Sequence, residues 1–413
     1  MSKFFDRNFI IFAIFLCVAI LAFLMQDSPQ YAPFSVESSA ISAPQNTQKY
    51  GQGGGKIAFT TLPNSVKSAH SSSIMDLGDK LMLVYFAGSR EGASDVAIMQ
   101  HFINKDSLES TQGRAILDAK MLSFMTGKFI KKLGNPVIFS DKNKRLHLFV
   151  VGVSLGGWAT AKIYQLEFRP DLESLEFRGE LHLGLLANFS HLVRTPPIAL
   201  ENGGFMLPIY HELARKYALV AFFDENANFT HALRLNRLKN QLQPTIIALD
   251  SRKCLAFFRN HKAYNNASFL QKCDDFGRIW EQPKATNLNG YDDSALLVSY
   301  QNAQNMPRIL LIYNDGRRQK DGTFKDNGGT RNSLGLYVLG NKLHFSFLQN
   351  IDSVEDKYPN EVSYPSAVLS GEWLFVAYTH NRKNIKIARL NLSQLEAQIA
   401  QDSRHANSPR EIK

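Results

Sequence analysis

The stretch Cys273-Asp274-Asp275-Phe276-Gly277-Arg278-Ile279-Trp280 decides the architecture. Asp275 can accept the backbone hydrogen bonds of a turn, and Gly277 can take a dihedral closed to other residues. Trp280 can then lock the resulting hairpin onto apolar neighbours. A hairpin of this kind implies antiparallel sheet on either side.

On both sides the chain repeats a strand, turn and strand rhythm from about residue 57 to 392. Apolar runs at 71–75 and 80–87 flank the turn Asp76-Leu77-Gly78-Asp79. Further runs fall at 96–102, 147–153, 160–168, 205–210, 217–224, 245–249, 254–259 and 294–300, and then at 308–314, 333–339, 343–349, 367–369, 373–379 and 385–392. They are short, rich in Val, Ile, Leu, Phe and Tyr, and separated by Gly, Asp or Asn, which reads as strand. Helical periodicity is confined to residues 117–133 and 392–400. The spacing is too uneven for solenoid coils, and no linker divides 57–392 into two sandwiches. An all-β propeller, with loops converging on one mouth of a central channel, satisfies the pattern.

The 413 residues suffice for one large all-β domain, and the net charge of +10 favours anionic ligands. Lys and Arg are scattered with no long basic run, so nucleic acid is not an expected partner. Residues 1–26 differ from the rest: Lys3 and Arg7 precede an uncharged stretch, 9–25, which suggests a transmembrane or signal-anchor helix. The expectation that follows is an inner-membrane protein with its propeller on the periplasmic side, or a secreted one if the segment is cleaved. Residues 27–56, rich in Ser, Pro, Gln and Gly, read as a flexible linker, 57–392 as the propeller, and 393–413 as a C-terminal tail. Cys254 and Cys273 either pair or remain two buried thiols. No Cys or His set has zinc-site spacing, so neither metal nor cofactor is expected.

Polar residues gather where strands end. Ser89-Arg90-Glu91-Gly92-Ala93-Ser94-Asp95 brings a guanidinium and two carboxylates. Tyr210-His211-Glu212, Arg259, Asp292-Asp293, Asn314-Asp315-Gly316-Arg317, Arg331 and Tyr364 occupy comparable places. Each has a plain structural reading as an ion pair, turn cap or surface charge. Collected around one mouth, the arginines would suit a planar carboxylate. Carboxylates and a tyrosine could then divide protonation of a leaving oxygen from attack on the sugar. Ser71, Ser72 and Ser73 form no nucleophile elbow, and the glycine-bearing stretches lack a phosphate-loop context.

The chain resembles the bacterial sialidase-like (predicted neuraminidase) family, whose members carry Asp-box, or BNR, repeats on a six-bladed β-propeller. The resemblance covers about residues 65–392. It rests on residues 89–98, Gly134-Asn135-Pro136-Val137, Gly156-Gly157-Trp158, Leu207-Pro208-Ile209-Tyr210-His211-Glu212, Gln243-Pro244, the box at 273–280, Tyr313-Asn314-Asp315 and Ser363-Tyr364-Pro365. Cys273 replaces the usual Ser or Thr of the box. The resemblance implies an exo-glycosidase acting on an acidic terminal sugar, with Tyr364 as nucleophile, Asp95 or Glu91 as acid/base and Glu212 as helper. Arg259 and Arg331 match two of three carboxylate-binding arginines, and Arg90 is a further anion binder. His70 stands where the first arginine is expected, and Gln243 where a glutamate would activate the tyrosine. His211, Asp292, Asp293 and Asn314 complete the expected substrate-binding set. Two other readings are a polysaccharide hydrolase or lyase of other specificity, with His70, His211 or Tyr364 as base, and a non-catalytic glycan-binding propeller.

Overall fold

The computed structural model describes residues 2–26, 40–42, 45–46, 57–184, 188–314, 331–355, 357 and 360–407. Six antiparallel sheets follow one another along the chain, each a blade of a propeller. Their innermost strands are Ser68–Asp76, Lys132–Ser140, His191–Val193 continued by Ile198–Ala199, Gln241–Ala248, Leu296–Gln301 and Val362–Ser370, numbered here as blades 1 to 6. The ring closes because the early strand Ala58–Thr61 forms the outer edge of blade 6, with Ala58 opposite Arg389 and Thr61 opposite Lys386.

Each pair of neighbouring blades shares one apolar cluster. Val84, Leu148 and Tyr164 join blades 1 and 2, and Phe149, Phe205 and Phe223 join blades 2 and 3. Met206, Phe258 and Trp280 join 3 and 4, and Phe257, Leu311 and Phe345 join 4 and 5. Leu336 and Tyr378 join 5 and 6, and Leu83 with Phe375 completes the circle. Both faces of most strands are therefore buried, which is why many read as continuous apolar runs. The outer strands Leu175–Glu180, Phe229–Arg234 and Lys284–Asn289 keep one face in water and are polar enough to escape a search for such runs.

The hairpin at 273–280 links the outer strands of blade 4. Asp275, Phe276 and Gly277 all have positive φ, and the Trp280 indole donates to the Gly277 carbonyl at 2.8 Å. The carboxylate that accepts a turn amide is Asp274, from the Asp275 N–H at 2.7 Å, whereas Asp275 pairs with Arg278 at 2.6 Å. A Cβ on Gly277 would lie 2.5 Å from the Met206 sulfur, so the turn fits flush against blade 3. Cys254 and Cys273 lie opposite each other on adjacent strands and form a disulfide.

Among the described residues three α-helices accompany the blades: α1 (Ser2–Gln26), α2 (Ala119–Thr126) and α3 (Leu392–Asn407). The membrane anchor expected from residues 1–26 is overturned: among the described residues no helix is long and apolar enough to cross a membrane. The expected membrane attachment, inner-membrane location and periplasmic orientation fall with it. Most of the expected linker lies outside the described residues; within it, Ile41 is buried and Gln45–Asn46 pair in parallel with Tyr300–Gln301 of blade 5.

Candidate functional site

In blades 1, 2, 4 and 6 the innermost strand carries the same defect near its start. Its pairing register slips between His70 and Ser73, Gly134 and Val137, Leu242 and Thr245, and Ser363 and Ser366. Within each slip one residue has positive φ: Ser71 at 56°, Asn135 at 35°, Gln243 at 43° and Tyr364 at 55°. Bulged residues leave the ladder, so a following residue without an N–H is tolerated there, and Pro136, Pro244 and Pro365 occupy that place. Residues of blades 1, 3, 4 and 5 gather around one side chain of the blade 6 bulge, Tyr364, and the blade 2 bulge is tied to Tyr210 beside them.

The Tyr364 hydroxyl accepts a hydrogen bond from Arg259 Nη1 at 3.0 Å. The guanidinium carbons of Arg194 and Arg331 lie 5.2 and 5.6 Å from its ring centre, and the His70 ring packs at 4.2 Å. Burial pushes the Tyr364 hydroxyl up, but Arg259 and Arg331, aided by a hydrogen bond from Gln243, outweigh it and hold it below the usual phenol range. Beneath it, Gln243 Nε2 and Asn135 Nδ2 donate to the Tyr210 hydroxyl at 3.4 and 3.2 Å. Burial pushes that hydroxyl up and keeps it protonated.

Acidic side chains hold the arginines from behind. Asp292 accepts from Arg259 Nε at 2.8 Å and lies 2.9 Å from His261 Nδ1; burial raises its carboxyl, but the Arg259 charge outweighs that and keeps it low. Asp293 accepts from Arg331 Nε at 2.8 Å. Its other oxygen is buried without a hydrogen-bond partner, and burial pushes the carboxyl up to about 6 despite Arg331. Glu361 sits 3.1 Å from Arg382 Nε and 3.9 Å from His70 Nδ1, and Arg382 also pairs with Glu91. Burial, together with Arg382, Arg331, Arg194 and Arg259, lowers His70 well below its ordinary value, so its imidazole is neutral.

Arg194 is the member that strand-end reasoning misses. It is 2% exposed, donates to the carbonyls of Ser72 at 3.4 Å and Pro365 at 2.9 Å, and its Nε is buried without a partner. Burial lowers its pKa to about 10. Arg194, from blade 3, thus brings a guanidinium to the Tyr364 ring where position 70 supplies an imidazole. Its sequence signal is weak: it lies two residues ahead of Pro196 at an inner strand, one further than Asn135, Gln243 and Tyr364 lie from their prolines.

Of the expected site residues, Tyr364, Arg259, Arg331, His70, Gln243, Asp292 and Asp293 come together, and Glu91 reaches them through Arg382. The others do not join the cluster directly. Asp95 is exposed and closes the 89–95 turn by accepting from Ser89 N and Oγ at 3.0 and 2.9 Å; the Ser89 hydroxyl is the main cause holding its carboxyl below the ordinary range. Arg90 is exposed on the same turn. His211 stacks on Tyr217 at 4.8 Å inside blade 3, and Glu212, beside it, is joined through its backbone to Ser190 and Lys216. Asn314 donates to the Ser333 and Val362 carbonyls, tying blade 5 to blade 6. Asp315, Gly316 and Arg317 lie outside the described residues. Among the described residues no group of His, Cys, Asp and Glu could hold a metal ion.

Comparison with solved structures places this fold beside a Hadza microbial sialidase, with a TM-score of 0.63 at 11% identity over 79% of this chain and 66% of that one. Trypanosoma rangeli sialidase in complex with sialic acid is similar at a TM-score of 0.58 and 11% identity, over 91% of this chain and 62% of the other. The chain thus covers less than two thirds of the length of either sialidase. Penicillium chrysogenum alpha-L-arabinanase, complexed with arabinobiose, gives a TM-score of 0.56 at 12% identity over 87% of this chain and 99% of its own. At these identities the likeness is one of fold. A search of curated proteins finds no match. Residues 79–376 match the BNR repeat-like domain, nearly the whole propeller, and the chain belongs to that family.

Proposed function

We propose that this chain is a glycan-processing enzyme that cleaves a glycosidic bond at a sugar bearing a carboxylate, sialic acid being one member of that class. The observation that carries the reading is the 3.0 Å hydrogen bond from Arg259 to the Tyr364 hydroxyl, inside a ring of three guanidinium groups. Arg259, Arg331 and Arg194 bind the sugar carboxylate, and a phenol biased toward its anion is a competent nucleophile. In hydrolysis Tyr364 attacks the anomeric carbon, the leaving oxygen takes a proton delivered by way of Glu91, which Arg382 ties to the site, and water then releases the sugar and restores that proton. Asp95, held ionised by Ser89, is not the donor. The propeller shared with sialidases and an arabinanase supports the general activity.

One feature favours a second reading, β-elimination at a uronate. Gln243 cannot accept the tyrosine's proton, and the group packed against Tyr364 is a neutral imidazole. Tyr364 would take the proton beside the carboxylate, the electron pair would form a carbon–carbon double bond as the glycosidic bond breaks, and the same proton would return to the leaving oxygen. A panel of sialosides, glucuronides and polygalacturonate, with products weighed by mass spectrometry, tests both. Hydrolysis adds one water and elimination adds none. Absence of product from every acidic glycan rejects the enzyme assignment in favour of a binding propeller, and full activity in Tyr364→Phe removes Tyr364 from the chemistry.

A further inference from the structure

The blade 2 side of the mouth carries a patch that the proposed chemistry does not use. Phe124 on α2 is 91% exposed, Phe129 61%, Leu155 68% and Met121 43%. Lys120, Lys128 and Lys131 are exposed among them, and no acidic residue occurs from Ala119 to Gly134 or from Val153 to Thr160. Hydrogen bonds weld the patch into one surface: Ile130 N donates to Ser123 Oγ at 2.9 Å, and Ser154 Oγ donates to the Phe129 carbonyl at 2.7 Å. The aromatic rings are thus held out into solvent by a rigid frame, with Lys128 pinned to Glu180 at its outer edge.

This surface is continuous with the Tyr364 site. Lys132 Nζ reaches within 3.9 Å of the position a Cβ on Gly92 would take, and the adjoining Glu91 pairs with Arg382 beside Glu361. Three residues past Lys132, Asn135 bonds Tyr210 under the tyrosine. We infer that the patch is a subsite for the extended chain of an acidic polysaccharide. Exposed rings stack on the apolar faces of successive sugars while the lysines pair with their carboxylates. The inference rests on the glycan reading of the site and adds that the substrate is polymeric. Continuity with the mouth and a patch whose own segments carry lysines and no acidic residue, with only Lys128 paired, to Glu180 at the outer edge, favour a polyanionic chain running outward from the site.

The test uses the full chain with Tyr364→Phe, so that binding is read without turnover. Probes are polygalacturonate, alginate, hyaluronan and polysialic acid, with their trimers, neutral dextran, and vesicles of phosphatidylserine and phosphatidylcholine. Expected is binding of at least one acidic polymer, about tenfold or more weaker in Phe124→Ser/Phe129→Ser and in Lys120→Gln/Lys131→Gln, and weakened by salt. The trimer's affinity stays the same, as does turnover of a short acidic substrate when Tyr364 is intact. No binding of any acidic polymer, or equal binding by all variants, overturns the inference. Vesicle binding lost in these variants without polymer binding overturns it in favour of a lipid surface. Loss of activity on every glycan with polymer binding intact rejects the catalytic reading alone.

Discussion

Asp293→Asn isolates the electrostatic tension in the site. The carboxylate is buried, takes one hydrogen bond from Arg331, and leaves its second oxygen without one. Burial lifts its pKa from 3.8 to about 6, so the folded chain holds that proton more tightly than the unfolded chain does. The associated stability is fully present below about pH 4 and is lost as pH rises through about 6. At about 1.36 kcal/mol per pH unit the loss amounts to about 3 kcal/mol above pH 6. Asparagine keeps the shape and the acceptor oxygen facing Arg331, and it cannot ionise. Urea unfolding of both proteins between about pH 4 and about pH 8 therefore gives a difference that grows in favour of the variant up to about pH 6 and is flat beyond, other titrations cancelling. The variant also leaves the Arg331 charge uncompensated, as protonation does, so anion affinity at pH 8 should rise toward the native protein's value at low pH. Parallel stability curves, or a native protein that gains on the variant as pH rises, would refute the reasoning.

Four further outcomes follow from the geometry. Tyr364→Phe removes the hydroxyl held by Arg259 while keeping the ring against His70; turnover should fall at least about a thousandfold with substrate affinity within about threefold, measured by steady-state kinetics and calorimetry. Arg194→Met should cut affinity for the acidic sugar by about ten- to a hundredfold, since it deletes a buried charge-assisted donor; unchanged affinity would remove Arg194 from the binding set. Gly277→Ala places a side chain at φ +83° and 2.5 Å from the Met206 sulfur, so the unfolding free energy should drop by about 1–3 kcal/mol, and an unchanged midpoint would refute the fit against blade 3. Replacing both Cys254 and Cys273 by alanine opens a closed loop with a sequence separation of 19, for an expected loss of about 3 kcal/mol in denaturant; reductant should reproduce it in the native chain only.

Much of the site is visible in the sequence because strand ends are visible. Arg259, Asp292, Asp293, Arg331 and Tyr364 each border an apolar run, and they meet. Asp95 and Arg90 border one too, yet their loop is satisfied locally through Ser89. Asn314 borders one and is consumed in joining two blades. Adjacency to a strand end gives a residue access to the mouth; whether its polar atoms are already taken depends on neighbours distant in sequence. Arg194 shows the converse, since its strand is broken by Pro196 and Pro197 and offers no apolar run to follow.

By itself the sequence determines the local chemistry of each blade. Alternating turns and short apolar strands force antiparallel sheets, Gly277 and Trp280 fix one hairpin, and the prolines at 136, 244 and 365 mark where inner strands bulge. These effects act over a few residues and are written there. Only the closed ring decides which charges face one another: Arg259 meets Tyr364 across 105 residues, and Arg382 meets Glu91 across 291. Those contacts depend on the pairing of Ala58–Thr61 with the last blade, and on burial that takes hold once the circle is complete.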